Sequence, residues 1–175
     1  MTTVVACRSL GIMVADSRIT HGEGKFRSRK KVQRAGKYIV GISGDYMPGL
    51  AFMRSFVEAV KRRASKAPPT MPRTTGEFEL LALSCHGMWM YSKDGTPVEI
   101  EDDDVYSIGS GGLYARAALR AQDLAGVARN LAQAVAVACE YDDASELPVV
   151  QMSLRSEAIA GVPTPANCLL YTSPS

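Results

Sequence analysis

A threonine stands directly behind the initiator methionine, as Thr2. Methionine is trimmed efficiently when a small residue follows, so the mature chain is expected to begin at Thr2. A free α-amine has an ordinary pKa of about 8 and keeps a useful neutral fraction at cellular pH. A first-position threonine therefore carries a hydroxyl nucleophile and a base on one residue. The amine can take the hydroxyl proton, directly or through a water, and later return it to the leaving group. Few other side chains compete for this work. His21 and His86 are the only histidines, so a Ser-His-Asp or Cys-His machine has little to draw on. Cys7, Cys85, Cys139 and Cys168 form no CxxC and show no metal-ligand spacing. They read as reduced, buried thiols, and neither metal nor cofactor is expected.

The composition limits what such a residue could serve. A chain of 175 residues is one ordinary domain. With 46% hydrophobic and 22% charged residues it can bury a real core. Twenty Lys+Arg against 18 Asp+Glu leave a net charge of +2, too little for a dedicated nucleic-acid binder. No apolar run approaches the roughly 20 residues of a membrane span. No basic-then-apolar leader opens the chain, so a cytoplasmic location is expected.

Strands must carry the first residues. Thr2–Cys7 is β-branched, turns at Arg8–Gly11, and continues in the apolar run Ile12–Ala15 before Asp16. Residues 17–30 are polar and read as a loop. Lys31–Gln33 reads as a short strand and Tyr38–Ile42 as a buried one ending at Ser43-Gly44. After Pro48, Leu50, Met53, Phe56, Val57 and Val60 fall at helical spacing. Phe78–Ser84 and Met88–Ser92 read as a hairpin, followed by strands at Val98–Ile100 and Tyr106–Ile108. Two helices are expected at Leu113–Leu124 and Val127–Tyr141, divided at Gly126, and a last strand at Val149–Leu154. Blocks of this kind predict stacked layers with antiparallel sheets rather than repeated βαβ units.

These stretches resemble the proteasome β-subunit family, including the bacterial HslV peptidases and their ring-forming relatives. Thr2-Thr3-Val4-Val5 matches the family opening, and Ala15-Asp16-Ser17-Arg18-Ile19-Thr20 its Ala-Asp-x-Arg-x-Thr segment. Lys30-Lys31-Val32 matches the strand bearing the essential lysine. Gly41-Ile42-Ser43-Gly44-Asp45 and Ile108-Gly109-Ser110-Gly111-Gly112 match two glycine turns that precede helices. Asp142-Asp143-Ala144-Ser145 resembles the family's Asp-x-x-Ser pair. The matches keep family order and span Thr2 to Ser145. The resemblance implies an α+β fold, a four-layer αββα sandwich of the amino-terminal-nucleophile hydrolase type.

It also implies roles. Lys31 would set an ammonium beside the Thr2 hydroxyl and favour the developing alkoxide. Asp16 would hold Lys31 charged and oriented. Lys30 and Lys31 would point to opposite faces of a strand, so only one could reach the site. Gly44 would offer a backbone N–H to the oxyanion. Ser110, Asp142 and Ser145 resemble residues that hydrogen-bond around the threonine amine. Thr20 resembles the position that pairs with an extended peptide substrate. Asp45, where many relatives carry a small residue, could alter the pocket or repel acidic substrates. The connection from Thr2 to Asp16 is shorter than usual in the family by about two residues, an even change that keeps side-chain parity.

The expected activity is threonine-dependent cleavage of unfolded polypeptides in a self-compartmentalising homo-oligomer of stacked rings, with an unfolding ATPase ring as a partner by analogy. Two rival classes use the same chain differently: an amidase acting on small amides, and a catalytically silent ring subunit. The domain is expected over residues 2–167. Cys168-Leu169-Leu170-Tyr171-Thr172-Ser173-Pro174 matches a translation of the transposon-end adapter used to prepare sequencing libraries. Residues 168–175 are therefore expected to be foreign to the natural chain, which transposon-free resequencing of the gene would test.

Overall fold

The structure is a computed structural model that describes residues 2–21, 24–28, 30–62, 65 and 67–155. Residues 168–175 lie outside them. In chain order the elements are β1 (Val4–Cys7), β2 (Ile12–Ala15), β3 (Arg18–His21), β4 (Gly24–Arg27), β5 (Val32–Ala35), β6 (Tyr38–Gly44), α1 (Tyr46–Lys61), β7 (Phe78–Ser84), β8 (Gly87–Tyr91), β9 (Val98–Glu99), β10 (Val105–Ile108), α2 (Gly112–Leu124), α3 (Leu131–Tyr141) and β11 (Val150–Ser153).

Short connections make neighbours in sequence neighbours in space. β1 and β2 form a hairpin with Val4 opposite Ala15 and Cys7 opposite Ile12. Gly11, at φ 64, completes its turn in a conformation that a side chain would resist. β10 and β11 flank the pair, giving the order β10-β1-β2-β11. The second sheet runs β5-β6-β7-β8-β9. Every pairing in both sheets is antiparallel.

The strands read as apolar runs because both of their faces are covered. In β1, Val5 and Cys7 pack with α2 and α3, while Val4 and Ala6 face the other sheet. In β6, Tyr38, Val40 and Ile42 pack under α1, and Ile39 points the opposite way to meet Val4, Met13 and Leu81. The α1 side is rich in aromatic contacts, with Tyr38–Phe56, Phe52–Phe78 and Phe56–Tyr91 ring centroids 5.1–5.6 Å apart.

At Gly41 the two sheets approach each other closely. A Cβ there would lie 2.7 Å from Val4 Cγ1 and 2.8 Å from Met13 Sδ. Val4 is a stiff, β-branched neighbour and cannot swing away cheaply. Gly41→Ala is expected to lower folding stability by about 1–3 kcal/mol through overpacking. Thermal unfolding of the variant measures this, and an unchanged midpoint would refute it.

Two elements differ from the sequence reading. Residues 17–30 are not simply a loop: β3 and β4 pair within them, Ile19 opposite Phe26. The ribbon is a separate two-stranded sheet whose single apolar pair, Ile19 and Phe26, stands among Arg18, Thr20, Lys25 and Arg27, which hides the alternation. The second of the two late helices begins at Leu131, not Val127. Gly126, at φ 67, closes α2, and the Asn130 side chain caps α3 by accepting from Gln133 N at 3.0 Å. Val127, apolar but 55% exposed, belongs to the linker. Among the described residues no helix is long and apolar enough to cross a membrane.

Candidate active site

Each sheet delivers one half of a buried ion pair. Asp16 follows β2 directly, and its N–H donates to Thr3 O at 3.1 Å, extending the first hairpin. Lys31 precedes β5, and its carbonyl accepts from Ile42 N at 3.0 Å, extending the second sheet. Lys31 Nζ donates to Asp16 Oδ1 at 3.0 Å and to Oδ2 at 3.1 Å, with both side chains almost completely shielded from water. The Asp16 carboxylate also accepts backbone N–H groups of Thr3 at 2.9 Å, Arg18 at 2.9 Å and Glu146 at 3.2 Å. Such a fully bonded carboxylate is fixed in place. Burial pushes the Lys31 ammonium below the ordinary lysine value of 10.5, and the Asp16 charge opposes the shift. Lys30, by contrast, is exposed.

Thr2 enters the same region just ahead of β1 and is 5% exposed. A small cavity joins it to Lys31 and Gly44, with Ile19, Ile42, Ser43 and Tyr46 completing the wall. Gly44 sits at φ 85, where a Cβ would press on the Glu77 carbonyl and lie 2.8 Å from Phe78 Cα. Only glycine suits that position. No hydrogen bond joins the Thr2 hydroxyl to another described residue.

A second polar cluster forms behind. Ser110 Oγ donates to Asp142 Oδ2 at 2.9 Å, and Ser145 Oγ donates to the same oxygen at 2.6 Å. Ser145 Oγ is also 2.7 Å from Thr3 Oγ1. The turn holding Ser110 presses on the chain start, since a Cβ on Gly109 would collide with the Thr2 carbonyl oxygen. Burial pushes the Cys139 thiol up to about 12, with the Asp16 charge adding to the shift. Among the described residues no three His, Cys, Asp or Glu side chains gather as metal ligands would.

The structure thus brings together Thr2, Asp16, Lys31 and Gly44, and, beside them, Ser110, Asp142 and Ser145. Thr20 lies in β3, paired with Lys25 across the ribbon. Asp45 stands at the start of α1, where its carboxylate is turned to accept Glu77 N at 3.0 Å and does not wall the Thr2 cavity. Of the four other wall residues, Ile42, Ser43 and Tyr46 fall in the Gly41–Met47 stretch that the sequence offers as the pocket wall, whereas Ile19, an ordinary strand residue in sequence, escaped that reading. The Tyr46 hydroxyl is 3.1 Å from Ser28 Oγ.

Comparison with known proteins bears on the fold, which is similar to those of several solved proteins. A solved structure from Thiobacillus denitrificans, BPH in complex with epoxomicin, superposes with a TM-score of 0.64 at 22% identity, covering 87% of this chain and 99% of that one. HslV from Trypanosoma brucei gives 0.61 at 23% identity, covering 86% and 98%. Anbu from Hyphomicrobium sp. strain MC1 gives 0.59 at 15% identity, covering 86% and 80%. In sequence, the chain is similar to the ATP-dependent protease subunit HslV of Sulfurihydrogenibium sp. (strain YO3AOP1), 29% identical over an alignment of 133 residues that takes in 67% of this chain and 74% of the relative. No protein-family profile matches the chain. The resemblance to the proteasome β-subunit family, HslV type, therefore holds in sequence and in fold.

Proposed function

We propose that this chain is a threonine-type peptidase subunit that cleaves unfolded polypeptides from a Thr2 exposed by loss of Met1. The observation that carries this reading is the cavity shared by Thr2, Lys31 and Gly44, backed by the buried Lys31–Asp16 pair. The α-amine of Thr2 takes the hydroxyl proton as Oγ attacks the scissile carbonyl. The Lys31 ammonium favours the emerging alkoxide, and the Gly44 N–H receives the oxyanion. The amine passes its proton to the departing amine, which leaves an ester on Thr2. Water, deprotonated by the same amine, hydrolyses the ester and restores the hydroxyl. Ser110, Asp142 and Ser145 orient the amine. The substrate runs along β3 near Thr20, while Asp45, turned to the Glu77 amide, fixes the start of α1 outside the Thr2 cavity.

The wider setting follows from the same reading. The three apolar clusters, one under α1, one between the sheets and one under α2 and α3, support a four-layer αββα sandwich of the amino-terminal-nucleophile type in a single domain. A homo-oligomer of stacked rings in the cytoplasm would hide the sites from folded proteins. The relative described as an ATP-dependent protease subunit favours an unfolding ATPase ring as partner.

The decisive experiment is treatment with a peptide epoxyketone followed by peptide mass mapping. One adduct per chain is expected, on an amino-terminal peptide that begins at Thr2. Labelling elsewhere, or Met1 retained on active protein, would refute the assignment.

A further inference from the structure

We propose that Thr3 is a positioning residue, whose hydroxyl holds the peptide of the neighbouring nucleophile in register with the site. The inference rests on the reading of Thr2 as nucleophile. Thr3 is fully buried and polar, in a strand entry whose next residues, Val4 and Val5, are apolar. A buried hydroxyl is costly unless it is bonded. Valine has nearly the same shape and equal strand preference, so packing alone does not call for threonine.

The bonds supply the reason. Thr3 N–H donates to Asp16 Oδ1 at 2.9 Å, and Thr3 O accepts from Asp16 N at 3.1 Å. These fasten the backbone to the carboxylate that grips Lys31. The side chain reaches the other cluster, with Thr3 Oγ1 2.7 Å from Ser145 Oγ. The direction of that bond follows from Asp142. An ionised carboxylate can only accept, so Ser145 commits its one proton to Asp142 Oδ2 at 2.6 Å. Thr3 is then the donor to Ser145. The chain Thr3 to Ser145 to Asp142 runs one way, and each bond polarises the next.

Thr3 therefore touches both the Lys31–Asp16 pair and the Asp142 cluster, and one peptide bond separates it from the reacting residue. The Gly109–Gly111 turn is shaped around this arrangement. A Cβ on Gly111 would collide with the Thr3 hydroxyl, and lie 3.0 Å from Asp142 Oδ2 and 3.1 Å from Ser145 Oγ. Reaction rates are sensitive to such placement, since a shift of about 1 Å can cost on the order of a hundredfold.

The test compares Thr3→Val and Thr3→Ser in the full chain, with loss of Met1 verified by intact mass. Thr3→Val is expected to lower kcat by about ten- to a hundredfold on a fluorogenic peptide, with KM within about twofold of the parent. Thr3→Ser, which keeps the donor, is expected to recover most of the rate. The rate of Thr2 labelling by a peptide epoxyketone should follow kcat. Ser145→Ala combined with Thr3→Val should cost less than the product of the two single losses, because both cut one chain of bonds. Should valine pack badly and lower the thermal midpoint, Thr3→Ala against Thr3→Ser makes the same comparison. A Thr3→Val protein as fast as the parent would overturn the inference, as would Thr3→Ser as slow as Thr3→Val. A parent protein that is not labelled at Thr2 would overturn the nucleophile reading and this inference together.

Discussion

Thr2→Ala is expected to abolish peptide cleavage while leaving the fold intact. The substitution removes the oxygen that would form the ester, so no covalent route remains. A loss of at least about four orders of magnitude is the scale seen when a nucleophile is deleted from a site that otherwise survives. The fold should tolerate it. Thr2 precedes β1 rather than lying within it, and its hydroxyl gives up no hydrogen bond among the described residues. Alanine also preserves removal of Met1, because it is equally small. Residual activity above that floor, with thermal midpoint and sedimentation unchanged, would end the assignment of Thr2 as nucleophile.

Lys31→Ala should be nearly as severe, at about three orders of magnitude or more, whereas Lys30→Ala should stay within about twofold of the parent. The contrast follows from burial. Lys31 is 1% exposed and bonded to both oxygens of Asp16, while Lys30 is exposed. Removing Lys31 also strands the Asp16 carboxylate in the interior, a change that typically costs about 3–5 kcal/mol of stability. Activity must therefore be read at a temperature where circular dichroism shows the variant folded. The parent's pH profile gives a second readout. Lysine is cationic below its pKa, and burial lowers that of Lys31. As pH rises, its charge is lost earlier than that of an exposed lysine. The alkaline limb of the rate profile should accordingly fall below the ordinary lysine range around 10.5. Equal rates for the two lysine variants would place the working cation elsewhere.

The sequence made the fold legible wherever a strand buried both faces. Val4–Cys7, Ile12–Ala15 and Tyr38–Gly44 are apolar runs bounded by glycine turns, and each is a strand. It failed where one face was polar, as in the β3–β4 ribbon, because Arg18, Thr20, Lys25 and Arg27 mask the single Ile19–Phe26 pair. It also failed where an apolar residue served a connection, as Val127 does before the Asn130 cap. The site was legible only in part, for a related reason. Spacing cannot show that Asp16 and Lys31 meet, since each arrives on a different sheet; motif order pointed to them. The Asp142 cluster likewise joins Ser110, which stands just before α2, to Ser145, which follows α3. Thr3 escaped because a β-branched residue in a strand attracts no notice until its hydroxyl is seen to have a partner. Asp45 shows the opposite case: a carboxylate conspicuous in sequence turns to the Glu77 amide.

The placement of β1 carries one more consequence. The ends of a polypeptide usually fray, because they are paired on one side at most. Here the opening strand is threaded between β10 and β2, with Val4 matched to Ile108 on one side and Ala15 on the other. This segment is thus paired like the interior of a sheet, and its disorder is surrendered once, when the protein folds. If Thr2 reacts as proposed above, the residue that does so lies two positions ahead of a strand held along both edges.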